Sequence, residues 1–123
     1  QIALIAHDGK KAEMVAFLME NREALNGINL ISTGTTGKFV EQAGLKVTRV
    51  LSGPMGGDAQ IASMIADGQI SGVVFFIDPL EVHPHQVDVN MLLRICNVYN
   101  IPLATNYMTA SYIITGLEKK LVN

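Results

Sequence analysis

The sequence predicts one α/β domain spanning residues 1–123: a single-domain, doubly wound, mainly parallel five-stranded sheet with helices on both faces, a Rossmann-like three-layer sandwich. Three observations predict it. Five short apolar runs each stop abruptly in small or polar residues, as strands covered on both faces do. The segments between them carry apolar residues at helical spacing. A chain of 123 residues that is 49% hydrophobic can bury one ordinary core but not two.

The first run, Ile2 to Ala6, ends at His7-Asp8-Gly9. Ile28 to Ile31 ends in Ser32-Thr33-Gly34-Thr35-Thr36-Gly37, and Val47 to Leu51 ends in Ser52-Gly53-Pro54. Gly72 to Ile77 ends at Asp78-Pro79, and Ile101 to Ala104 ends at Thr105-Asn106. Helical spacing relates Ala12, Val15, Ala16, Leu18 and Met19; Phe39, Val40 and Ala43; and Ile61, Met64 and Ile65. It also relates Val89, Leu92, Leu93, Cys96 and Tyr99, and then Tyr112, Ile113 and Leu117. In sheets of this kind ligands bind beyond the carboxyl ends of the strands, where the polar segments fall.

The charge balance narrows the partners. A net charge of -2, with nine Lys and Arg residues scattered along the chain, gives no basic field for a nucleic acid. Any anion is therefore held locally. The lone Cys96 excludes an internal disulfide, no Cys cluster offers a zinc site, and a reducing, cytoplasmic setting is expected. No apolar run reaches the ~18 residues of a membrane span, so no membrane partner is expected. A mean hydropathy of +0.30 points to a homo-oligomer, because it implies more apolar surface than a small lone domain comfortably exposes.

Thr33-Gly34-Thr35-Thr36-Gly37 closes a strand and opens a helix, so backbone N–H groups and hydroxyls could converge there on a phosphate; plain helix capping is the competing reading. Lys10 and Lys11 open a helix, where a cation opposes the dipole. Lys10 reads as surface charge, whereas one of the two reaching back over the strand ends would complete an anion site. Asp8 beside His7 reads as a helix cap, and Asp78 before Pro79 as a turn initiator. His85 and Asp88 are three apart, so at a helix start the carboxylate can orient the imidazole for proton transfer; a metal site is the weaker alternative for His83 and His85. Arg94 fits either surface or phosphate. Cys96, inside an apolar pattern, reads as core. Asp58 follows Gly56-Gly57 directly and reads as either a helix cap or a catalytic base.

Taken together, "ALIAHDGKK", "STGTTG", "LSGPMGGDAQI", "VVFFIDPL" and "PHQVDVNMLLRICNVYNIPLATN", in this order from about Ile2 to Ile114, resemble the methylglyoxal synthase family. The resemblance implies a carbon–oxygen lyase that converts dihydroxyacetone phosphate to methylglyoxal and inorganic phosphate, with no metal and no organic cofactor, as a homohexamer. It implies Asp58 as general base, His85 as the electrophile at the substrate oxygen and Asp88 as the group holding that histidine. Phosphate contacts carried over in the same way are Lys11, Thr33, Gly34, Thr35, Thr36, Ser52 and Gly53, with His7, Asp8 and Asp78 as further substrate-site positions. The alternative is a noncatalytic phosphate- or nucleotide-sensing regulatory domain of the same fold, which would need the TGTTG cradle but not Asp58, His85 and Asp88 together.

Overall fold

The central strand of the sheet, β1 (Ile2–Ala6), is wholly apolar and buried at every residue. The computed structural model describes residues 1–81 and 86–122, with side chains for 1–81 and 89–119. The other strands are β2 (Leu30–Ser32), β3 (Thr48–Arg49), β4 (Gly72–Phe76) and β5 (Leu103–Ala104). They form one sheet in the order β3-β2-β1-β4-β5, with every pairing parallel. The helices are α1 (Lys11–Glu20), α2 (Gly34–Gln42), α3 (Gly57–Ala66), α4 (Gln86–Val98) and α5 (Tyr107–Val122).

Strand alternation sorts the core into two layers. Ile2, Leu4 and Ala6 of β1, with Val74 and Phe76 of β4, pack against Met14 and Phe17 of α1, Val40 of α2 and Ile114 of α5. Ala3 and Ile5, with Val73 and Phe75, meet Ile61 and Ile65 of α3 and Leu92 and Cys96 of α4. Helices therefore cover both faces, as the sequence predicts. The chain winds outward from β1 to β3 over one face, then crosses back through α3 on the other face to place β4 on the far side of β1. That reversal makes the gap between β1 and β4 the topological switch point.

Four strands differ from their expected ends. The expected Ile28–Ile31, Val47–Leu51, Gly72–Ile77 and Ile101–Ala104 become Leu30–Ser32, Thr48–Arg49, Gly72–Phe76 and Leu103–Ala104. Apolar runs mark what is buried, and burial extends past the ladder. Ile28 belongs to a turn, its N–H bonded to Leu25 O; β3 is an edge strand paired on one side only; and Ile101 N–H is taken by Cys96 O at the end of α4. Among the helical-spacing residues, Ala12, Ala16, Met19, Phe39, Leu93, Tyr99 and Tyr112 are exposed in the single chain instead of facing the core. Cys96 is core, as expected, and burial pushes its thiol pKa up. No helix among the described residues is long and apolar enough to cross a membrane.

An aromatic trio fastens α1 and α5 to the sheet. Phe17 meets Phe76 and Tyr107 edge-on, at ring separations of 5.6 and 5.3 Å. The Tyr107 hydroxyl also donates to the Glu20 carboxylate, which pushes the Tyr107 pKa up to about 12. Phe17 has no exposed surface. Phe17→Ala should therefore lower unfolding free energy by ~3–5 kcal/mol, read as a reduced urea midpoint with an unchanged slope. A loss under ~1 kcal/mol would show that the trio does not anchor α1.

Candidate active site

β2 ends at Ser32, opposite Leu4, so β1 runs on past its neighbour. In a parallel ladder the N–H and C=O of one residue point to the same side. Ile2 N–H bonds toward β2 at Asn29 O and His7 N–H bonds toward β4 at Phe76 O, so Ala6 faces the side that β2 has vacated. Two buried polar groups there need partners. Thr36 Oγ1, in the first turn of α2, accepts from Ala6 N–H at 3.2 Å. Lys11 Nζ donates to Ala6 O at 3.1 Å. The cation that opposes the α1 dipole is thus a side chain drawn back over the strand end, and it is only 6% exposed. Lys10 pairs with Glu13 at the surface, as expected.

Thr33 is the N-cap residue of α2 in extended conformation, but its side chain makes no cap hydrogen bond. Its hydroxyl donates instead to Thr36 Oγ1 at 3.3 Å. The capping reading of this segment is set aside, and helix geometry leaves the N–H groups of Thr35 and Thr36 aimed out of the helix end. Gly34 N–H is not among them, because it donates to Leu51 O at 3.1 Å. The cap of α3 is likewise not an acid. Gly56, at φ 101°, occupies that position, and Asp58 is the second residue of the helix. A Cβ on Gly57 would overlap the Leu51 carbonyl, so the glycine pair seats this helix end directly on the preceding strand exit. Asp58 is 8% exposed, near the positive end of the α3 dipole.

These groups converge on one cavity of about 430 Å³ at the switch point. Its walls include His7, Asp8, Lys11, Thr33, Thr35, Thr36, Gly53 and Asp58, joined by Pro54, Phe75, Glu81 and Val89. Gly34, Ser52 and Asp78 stand behind the wall. Ser52 O accepts from the N–H groups of Met55 and Gly57, and the Asp78 carboxylate accepts from Leu80 N–H at 3.0 Å, which is the turn role its sequence suggests. Asp78 N–H also donates to His7 Nδ1 at 3.0 Å. A nitrogen that accepts carries no proton, so the ring proton of His7 sits on Nε2. His85 and the side chain of Asp88 lie outside the described residues. Sequence reasoning did not single out Glu81 or Pro54; only their places just after Asp78-Pro79 and Gly53 signal them.

Asp8 is not a cap either: the residue at the head of its short 3-10 turn is His7. Its largely exposed carboxylate accepts from Lys11 Nζ at 2.6 Å, and that hydrogen bond and charge hold its pKa below the usual value. A larger hollow of about 800 Å³ lies at the opposite edge of the sheet, lined by residues such as Ile28, Pro102 and Leu117 and, among the described residues, by no ionisable side chain. Chemistry therefore selects the smaller cavity. Among the described residues no group of three or more His, Cys, Asp or Glu could hold a metal ion.

Comparison with known proteins gives concordant results. A family model described as an MGS-like domain matches residues 13–105. The chain is 56% identical to a methylglyoxal synthase of Clostridium botulinum (strain Eklund 17B / Type B) over 115 residues, covering 93% of this chain and 97% of that one. It is 50% identical to a methylglyoxal synthase of Thermus thermophilus over 119 residues, covering 96% and 94% respectively. The crystal structure of methylglyoxal synthase from Elizabethkingia anophelis NUHP1 superposes with a TM-score of 0.87 at 49% identity, covering 92% of this chain and 75% of that one.

The ion pair at the cavity mouth has a readable pH signature. Because the folded-state pKa of Asp8 is lowered, its stabilising contribution is complete above the unfolded value and is lost as pH falls through the lowered folded value. In an NMR titration, Asp8 should move up toward the ordinary carboxylate range in Lys11→Met. An unmoved Asp8 would remove Lys11 as the cause.

Proposed function

Because the chain belongs to the methylglyoxal synthase family, we propose that it is a lyase that converts dihydroxyacetone phosphate to methylglyoxal and inorganic phosphate. The observation that carries this reading is the burial of a carboxylate, Asp58, in the same cavity as a buried ammonium, Lys11, and the N-terminus of α2. Burying charge is costly, and opposed buried charges around a small cavity fit a site that moves a proton beside a bound anion. A cavity of about 430 Å³ suits a three-carbon phosphate ester.

Asp58 takes a proton from the hydroxymethyl carbon beside the substrate ketone. The electrons form a carbon–carbon double bond, and negative charge develops on the ketone oxygen. His85, oriented by Asp88, donates a hydrogen bond to that oxygen. The hydroxyl on the former hydroxymethyl carbon then gives up its proton to the departing phosphate, its oxygen re-forms a carbonyl, the double bond shifts to the phosphate-bearing carbon, and the carbon–oxygen bond to phosphate breaks with its electron pair leaving on phosphate. The enol that remains tautomerises to methylglyoxal. Lys11 has three N–H donors, of which two go to Ala6 O and Asp8, and the third is directed to the phosphate together with Thr33, Thr35 and Thr36. Holding the leaving group in line with the enediolate π system favours elimination over reprotonation. His7, with its proton on Nε2, offers a further neutral donor to the substrate oxygens. No metal or organic cofactor enters these steps.

The assembly proposed is a homohexamer working in the cytoplasm. Leu51, Met55, Leu80, Met108 and Tyr112 are all more than half exposed in the single chain, an apolar surface that subunit contacts would cover. Light scattering should give a mass near six chains of 13.3 kDa. A monomer at micromolar concentration would contradict the assembly and leave the chemistry standing.

The chemistry is tested by incubating the protein with dihydroxyacetone phosphate and following methylglyoxal and phosphate release together. Asp58→Asn keeps size and removes the basic oxygen, so turnover should fall by a factor of ~10² to 10⁴ while a phosphate-bearing analogue still binds. Near-normal turnover would place the base elsewhere. Phosphate binding without any turnover by the unaltered protein would favour the sensing-domain reading.

A further inference from the structure

Leu51 stands between the two helix ends that build the cavity. Its carbonyl accepts from Gly34 N–H, the first residue of α2, at 3.1 Å. Its N–H donates to the side-chain Oε1 of Gln60 in α3 at 2.8 Å. On either side, Val50 N–H is bonded to Ser32 O at the end of β2, and Ser52 O accepts from Gly57 N–H at the start of α3. The Leu51 side chain is 53% exposed, so no core packing fixes this residue. Its main chain does, and one of its two anchors is a single exposed glutamine.

We propose that Gln60 is a positioning residue that locks the N-termini of α2 and α3 to each other through the backbone of Leu51. α2 carries Thr33, Thr35 and Thr36, and α3 carries Asp58 two residues before Gln60. Gln60 Oε1 holds Leu51 from the α3 side while Gly34 N–H holds it from the α2 side, so Leu51, beside the Gly57 N–H to Ser52 O bond, ties the two helix ends that carry the anion cradle and the carboxylate. The coupling serves catalysis only if the cavity performs the lyase reaction proposed above. Because the bond is exposed, water replaces it when the glutamine is lost, and overall stability is nearly unaffected. What changes is register, and small displacements of reacting groups are costly in rate.

Three variants test this. Gln60→Met keeps length and removes the acceptor, whereas Gln60→Glu keeps an acceptor, its charge pointing away from Asp58 because residues two apart do not share a helix face. Gln60→Ala removes acceptor and length together, and gives a second acceptor-free protein should Gln60→Met not fold. Melting temperature, turnover, affinity for inorganic phosphate and exchange of the Leu51 amide proton are measured for each. In Gln60→Met and Gln60→Ala, kcat should fall roughly 3- to 10-fold and the Kd for inorganic phosphate should rise by a similar factor, with Leu51 exchange accelerated and the melting temperature held. Gln60→Glu should restore all of these. Turnover and phosphate affinity at the unaltered level in Gln60→Met, or loss in Gln60→Glu as deep as in Gln60→Met, would overturn the proposal. Should the unaltered protein show no turnover, the proposed function fails by itself, and phosphate affinity with Leu51 exchange still decides the coupling.

Discussion

The unfilled side of β1 at Ala6 is the constraint around which the site is arranged. A buried backbone N–H and C=O without a ladder partner would each cost on the order of 1–3 kcal/mol. The sheet supplies no strand there, since β2 stops two residues short of Ala6. Thr36 and Lys11 supply the missing partners. Satisfying Ala6 draws the first turn of α2 and a lysine ammonium to the same point. The requirement to finish a strand thus brings a helix N-terminus and an ammonium together at the cavity.

On the other side of β1, the strand is finished by β4, and His7 continues the joint. Its N–H donates to Phe76 O, while its Nδ1 accepts from Asp78 N–H. The exits of β1 and β4 are therefore tied across the switch point by one residue's main chain and ring. Edge-on contact with Phe75, at a ring separation of 5.2 Å, fixes the ring's tilt. A side chain held at backbone, at one ring nitrogen and on its face is preorganised, which is what a hydrogen-bond donor in a reaction needs.

Charge is managed locally, in keeping with a chain whose net charge is -2. Lys11 and Asp58 are both buried and line the same cavity, one supplied by α1 and the other by α3. Asp8 partners the ammonium from the solvent side and remains exposed. Two helix N-termini add fixed positive ends without adding net charge. The buried lysine and the helix ends thus gather positive potential at one place on a chain that has no excess of basic residues.

Pattern along the chain made the fold class legible, because short buried runs alternating with helical spacing have one common solution, and it located the edge where the polar turns gather, since strand exits in such a sheet share one edge. It also separated Lys10 from Lys11 and assigned Cys96 to the core. The hydrogen-bond partners of the turn residues, by contrast, come from packing across the fold. Thr36 and Thr33 read equally as caps or cradle until Ala6, 30 residues away from Thr36, claims the hydroxyl. Asp58 read as cap or base until Gly56 took the cap and burial took Asp58 into the cavity. Gln60 carried no signal at all, because its partner is a backbone N–H nine residues earlier in the chain. Local pattern records which residues are apolar and which turns are tight; hydrogen bonds between distant backbone groups leave no such record, since every residue type offers the same N–H and C=O.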